Sequence, residues 1–191
     1  MNKRKSNNIF APKQTKDVPL IVDLDGTILA SDLLLVSLRK LLNTSFLTLF
    51  KLPFWLIRGK SALKAEIAKR VNLDVRNLPY NTKVITWLNT EKKEGRTLIL
   101  STASNEKYAR QIAEHLGIFD SVQASNYDIN LSSHTKRDLN VKLFGEGGFD
   151  YIGNSMDDLP VWASAAKAFI VNPSPRVLRA AKVSAKISKI F

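Results

Sequence analysis

Two carboxylates spaced two residues apart, Asp23 and Asp25, close the short apolar run Leu20-Ile21-Val22. The run is brief, β-branched at two of its three positions and preceded by Pro19, which reads as a buried parallel strand. Period two puts both acids on one side if the chain stays extended through them. Gly26 then lets the backbone turn away. Carboxyl ends of buried strands are where open α/β sheets bind ligands. Two acids held there repel each other and invite a cation or a shared proton. The plain alternative is a polar strand exit in which Asp-Gly makes an ordinary turn.

Three further stretches carry groups that could join them. Ser101-Thr102-Ala103-Ser104 ends a second apolar strand and precedes a helix over 106–116. Hydroxyls and free amides at a helix start form an anion cradle; capping by Ser104 and Asn105 is the competing reading. Lys136 stands near the start of a helix that runs to Phe144 and could meet negative charge developing in a cleft. Arg137 and Lys142 compete with it, and most helix lysines are simply solvated. Gly153-Asn154-Ser155-Met156-Asp157-Asp158-Leu159-Pro160 follows another apolar strand. Its oxygen-bearing side chains suit a hard cation, or else form an acidic helix start with an early proline.

Strands alternating with helices must position these groups. Apolar runs at 20–22, 96–100, 118–124, 149–153 and 168–173 read as strands. The amphipathic segments 62–71, 81–94, 106–116 and 136–144 read as helices, with Gly95 and Gly117 as stops. Arg179, Lys182, Lys186 and Lys189 recur at spacings of three and four, which predicts one cationic stripe on a helix over 176–189. A solvated face is the default for it, an anionic membrane the pointed alternative.

Composition narrows the classes. The chain has 191 residues, of which 45% are hydrophobic, enough for one α/β domain with a modest insertion. It has no cysteine, which excludes disulfides, zinc thiolates and thiol nucleophiles, and only 2 histidines, which argues against a histidine-built metal site. A net charge of +12 points to an anionic partner. No recognition motif or aromatic-basic platform accompanies that charge, so nucleic acid is not expected. Residues 1–17 read as a flexible basic arm and not as a secretory signal, since no apolar core follows the charges. The expected location is the cytoplasm, with a peripheral position at the inner face of the membrane.

The segment from Leu33 to Ile57 is apolar but interrupted by Arg39, Lys40 and Lys51, so no spanning helix is expected. It is either a helical cap packed on itself and on the rest of the domain, or a surface at a membrane interface with Trp55 as an anchor.

The string Asp23-Leu24-Asp25-Gly26-Thr27 resembles motif one of the haloacid dehalogenase (HAD) superfamily, and the three other stretches follow in the order of that family's remaining motifs. The resemblance implies an α/β fold with a doubly wound, mostly parallel sheet. It implies a core domain of 18–30 and 79–191 and a small helical cap over 31–78, inserted after the first strand. It implies a magnesium-dependent phosphomonoester hydrolase. Asp23 would be the nucleophile that forms an aspartyl-phosphate, and Asp25 the acid and base. Thr102, with Ser101 as fallback, and Lys136 would bind the phosphate. Asp23, the carbonyl of Asp25, Asn154, Asp158 and Asp157 would hold Mg²⁺. Asn154 departs from the family pattern, which has a carboxylate there.

A narrower resemblance rests on Val22-Asp-Leu-Asp-Gly-Thr27, Leu52-Pro-Phe-Trp-Leu-Ile-Arg-Gly-Lys-Ser-Ala-Leu-Lys64, Leu78-Pro-Tyr-Asn81 and Gly153-Asn-Ser155 with Asp158-Leu-Pro-Val-Trp162. Together these are similar to the phosphatase-like domain fused ahead of UbiA-type polyprenyl transferases. That likeness implies a lipid-linked phosphate substrate, such as a polyprenyl-phosphate-sugar phosphate, and a membrane prenyltransferase partner. The alternative is a catalytically weak regulatory or scaffold module at a membrane surface, motivated by Asn154 and the apolar cap.

Overall fold

A computed structural model of the protein describes residues 18–44 and 46–191. The basic arm expected over residues 1–17 lies outside the described residues, as does Ser45. The described residues form one six-stranded sheet in the order β3-β2-β1-β4-β5-β6, every neighbouring pair parallel. The strands are β1 (Leu20–Val22), β2 (Leu98–Asn105), β3 (Ser121–Ser125), β4 (Asp150–Gly153), β5 (Ala168–Ile170) and β6 (Ile187–Ile190). The chain builds outward from β1 through β2 to β3, then returns to place β4 on the other side of β1. That reversal is the switch point at which doubly wound sheets open a crevice.

Period two sorts the apolar residues onto two faces. Leu20, Val22, Leu98, Leu100 and Ile152 pack on one face with Val84 and Leu88 of α4 (Thr82–Lys93) and Tyr108 and Ile112 of α5 (Glu106–Leu116). Ile21, Ile99, Tyr151 and Ile170 face the other way. They meet Val141 of α6 (Ser133–Phe144), Trp162 of α7 (Leu159–Ser164) and Val177 of α8 (Pro175–Ser184). Burial on both faces is why the central strands read as continuous apolar runs.

A charged cluster closes the opposite end of the sheet from the acids. Arg96 donates to Glu91 at 2.9 Å, to the Val18 carbonyl at 3.2 Å and to Asp150 at the start of β4. The Arg96 guanidinium and its two carboxylate partners are nearly buried, which such groups tolerate only when paired.

Between β1 and β2 the chain forms α1 (Leu33–Thr44), a 3₁₀ segment over Phe46–Lys51, α2 (Leu52–Ile57), α3 (Lys60–Arg70) and α4. Leu41, Trp55, Ile67 and Val71 make a small apolar centre of their own among α1, α2 and α3. Trp55 is therefore buried under the Arg70 guanidinium rather than presented as an interfacial anchor. No described helix is long and apolar enough to cross a membrane.

The C-terminal expectation needs correcting. Helix α8 stops at Ser184, and Ile187–Ile190 instead pair with β5 as the edge strand β6. Lys186 and Lys189 thus fall outside the helix, and Lys189 covers the rings of Trp87 and Phe191. Pairing of Ile187–Ile190 satisfies the open edge of β5, a tertiary gain that local helical spacing could not anticipate.

Candidate active site

Asp23 directly follows β1, and its amide donates to the Ile152 carbonyl of β4 at 3.0 Å. Backbone pairing across the switch point therefore anchors the first acid. The turn after it is tight: Gly26 has φ +75°, and a Cβ there would lie 2.1 Å from Asn154 Nδ2. Glycine is required both for the left-handed backbone and for the close approach of Asn154. Asp23 and Asp25 open into the same cleft, of about 610 Å³, which Ser104, Lys136, Asn154 and Asp157 also line.

Each acid has its own holders. Lys136 Nζ donates to Asp23 Oδ1 at 2.6 Å, and the Thr27 hydroxyl lies 3.2 Å from Asp23 Oδ2. Asp25 Oδ1 accepts the Leu33 amide at 2.8 Å, at the start of α1, and Oδ2 accepts the Ser104 hydroxyl at 2.5 Å. Burial pushes the Asp23 carboxyl up to about 7, against the pull of Lys136 and with a further push from Asp158. Burial also raises Asp25, partly offset by its bonds from Ser104 and Leu33. For Lys136, burial works to lower the ammonium, but Asp23 and Asp158 outweigh it and the net direction is up. It remains a cation beside Asp23.

Behind this pair is a network the sequence reading missed. Lys136 also donates to the Tyr151 hydroxyl at 2.9 Å, which donates to Asp158 Oδ1 at 2.6 Å. Asp158 Oδ2 accepts the amides of Asn154 and Ser155, both at 2.9 Å, and the Ser155 hydroxyl at 3.1 Å. Burial and the Asp158 charge raise the Tyr151 phenol well above its ordinary range. Tyr151 was legible only as an apolar strand residue. Its spacing of two before Gly153 was the available hint that it shares a side of β4 with the site-facing end.

The expected site residues divide accordingly. Asp23, Asp25, Lys136, Asn154, Asp157 and Asp158 come together around one cleft. Asp158 does not offer a free carboxylate to it, because both its oxygens are taken by the loop it organises and by Tyr151. Thr102 and Ser101 stand behind the cleft wall. Thr102 is buried and accepts the Ser104 amide at 2.9 Å, while Ser101 is fully buried with its hydroxyl unpartnered. The strand is expected from sequence to end in these residues. It continues to Asn105, with a shift of register against β3 after Thr102, and this brings Ser104 rather than Thr102 to the cleft. Lys64 of α3 also reaches in, donating to the Ala103 carbonyl at 2.7 Å. Burial lowers it, against the opposing pull of Asp25 and Asp32.

Oxygen donors converge at one point. The Thr27 hydroxyl lies 3.2 Å from Asp23 Oδ2 and 3.3 Å from Asn154 Oδ1, and its single proton satisfies only one of them at a time. This hard-oxygen pair fits Mg²⁺, which keeps several waters and accepts one or two carboxylates together with substrate oxygens. Among the described residues, no group of three or more His, Cys, Asp or Glu is placed to hold a metal ion.

The sheet order, with its switch point beside β1, defines a doubly wound parallel α/β fold, and solved structures share it. The chain is similar to a HAD-family hydrolase of Salmonella enterica serovar Typhi, with TM-score 0.65 and 14% identity, over 92% of this chain and 67% of that one. It is similar to a phosphoserine phosphatase solved as a phospho-aspartyl intermediate analogue, with TM-score 0.60 and 16% identity, over 92% and 94% of the two chains. At these identities the likeness is one of fold. No protein-family model matches the chain. In sequence it is 36% identical over 161 residues to the uncharacterised protein y4nM of Sinorhizobium fredii, covering 82% of this chain. The match spans 30% of that relative's length.

Proposed function

We propose that the protein is a phosphomonoester hydrolase that works through an aspartyl-phosphate on Asp23. The observation that carries this reading is the pairing of two differently held acids in one cleft. Asp23 is bonded to a buried ammonium, and Asp25 is bonded to a hydroxyl and an amide. Asp23 Oδ attacks phosphorus as the bond to the leaving oxygen breaks. Asp25, raised by burial, gives its proton to that oxygen and then takes one from the water that hydrolyses the acyl-phosphate. Lys136 balances charge on the phosphoryl oxygens as it redistributes. The Ser104 hydroxyl keeps Asp25 aimed at the cleft. Asp23, Asn154 and the Asp25 carbonyl are the groups that would hold Mg²⁺, which when bound supplies charge neutralisation at the phosphoryl group. The shared fold of a phosphoserine phosphatase solved as a phospho-aspartyl analogue supports the same chemistry.

The substrate we favour is a lipid-linked phosphate such as a polyprenyl-phosphate-sugar phosphate. Leu34, Leu56 and Leu63 line the cleft, as do Lys60 and Lys64. An apolar wall with two cations suits a leaving group that is greasy and carries further negative charge. A working partnership with a membrane prenyltransferase belongs to the same reading, through the sequence likeness of the cap and the Asn154 loop.

Phosphate release from an aryl phosphate, with Mg²⁺ and with chelator, tests the hydrolysis. Turnover that needs metal and is lost in Asp23→Asn is the expected result. Turnover unchanged in Asp23→Asn overturns the scheme. A single neutral Asn154 in place of a second free carboxylate favours one other reading, a regulatory module with weak chemistry. Mg²⁺ binding by calorimetry without turnover of any phosphomonoester would select it.

A further inference from the structure

We infer that the outer face of the segment 46–57 is a docking surface for an anionic phospholipid bilayer. Large apolar side chains are exposed along it: Leu47 at 78%, Phe50 at 74%, Phe54 at 63% and Ile57 at 84%. Their spacing of three, four and three puts them along one side of a continuous helical path, while Trp55 turns the other way into the small core. An exposed apolar stripe of this size marks an interaction site.

Charge identifies the occupant. From residue 33 to residue 65 the chain carries six cations and not one Asp or Glu. Lys51 and Arg58 are exposed next to the stripe, and Lys60 follows at the mouth of the cleft. Apolar side chains flanked along the chain by cations and by no acid match acyl chains beneath anionic headgroups. A second copy of the chain fits worse, because a twofold contact would set the cationic rims against each other. No described helix is long and apolar enough to cross a membrane.

The face also orients the cleft. Leu56, 53% exposed, stands beside Ile57 on the outside and lines the cleft on the inside. Docking therefore turns the cleft mouth towards the headgroup layer. The inference rests on exposure and charge and stands whether or not the cleft hydrolyses phosphate.

Co-sedimentation of the full chain tests it, using vesicles of phosphatidylcholine alone or mixed with phosphatidylglycerol. Binding to the mixed vesicles is expected, weakening as salt is raised. The triple variant Leu47→Ser/Phe54→Ser/Ile57→Ser is expected to bind about tenfold less or weaker still, with unchanged thermal unfolding. Lys51→Glu/Arg58→Glu, which alters only exposed polar positions, is expected to abolish the preference for phosphatidylglycerol. No binding by the parent, or equal binding by the triple variant, overturns the inference. So does a parent dimer in sedimentation velocity that the triple variant dissociates while neither protein binds vesicles.

Discussion

The Lys136 ammonium is 2.6 Å from Asp23 Oδ1, although 113 positions separate the two in the chain. Replacing Lys136 by Met leaves the acid buried without its cation and removes the group we propose as a donor to the phosphoryl oxygens. Loss of one such donor costs about 10²–10³ in kcat. We expect that loss in aryl-phosphate turnover, with a smaller change in KM. A variant within a factor of about two of the parent would remove Lys136 from the chemistry.

Asp25→Asn is expected to lower kcat by roughly 10²–10⁴, the usual contribution of a positioned proton donor. The loss should be smaller for aryl phosphates with acidic leaving groups, which need no proton, than for alkyl phosphates. A phosphoenzyme should accumulate in this variant, because the water that attacks it lacks a base. Equal losses across leaving groups would reject the general-acid role.

Ionisation of Asp23 ties stability to pH. Its folded carboxyl sits at about 7, above its unfolded value of 3.8. Between these values the folded state keeps a proton that the unfolded state has lost. The stability Asp23 contributes is therefore fully present below 3.8 and is lost as pH rises through about 7. In chelator, unfolding of the parent measured against Asp23→Asn should show the parent losing ground across this window. Added Mg²⁺ should recover more stability at the upper end, where it binds the ionised acid. A difference flat in pH would refute this.

Asn154→Asp adds a second carboxylate to the oxygen cluster. Titration calorimetry should show tighter Mg²⁺ binding, since ligand charge sets the affinity of hard-cation sites. Weaker or unchanged binding would move the ion away from Asn154.

Arg96→Ala leaves Asp150 in the interior without its cation and takes the guanidinium away from Glu91. Breaking such a buried pair costs about 3–5 kcal/mol, which denaturant unfolding would read directly. A loss below about 1 kcal/mol would mean that water reaches both carboxylates.

Short-range chemistry determined much of this protein from its sequence alone. The alternation of apolar runs and amphipathic segments specified a parallel sheet with helices on both faces, because burial on two faces demands uninterrupted apolar strands. Asp23, Asp25 and Gly26 were legible because three consecutive constraints coincide: a buried strand, paired acids, and a turn that needs a left-handed residue. Pairing across the sheet decided the rest. The extension of β2 past Thr102 selected Ser104 as the partner of Asp25, and no local preference distinguishes one hydroxyl from another in Ser101-Thr102-Ala103-Ser104. The capture of Ile187–Ile190 by the edge of β5 cut short a helix that its own spacing favoured. The line from Lys136 through Tyr151 to Asp158 joins three elements, so it exists only once the sheet and its covering helix have packed. Local patterns set where acids can stand, and long-range packing chooses which groups face them, since hydrogen-bond partners are selected by distance in space and not along the chain.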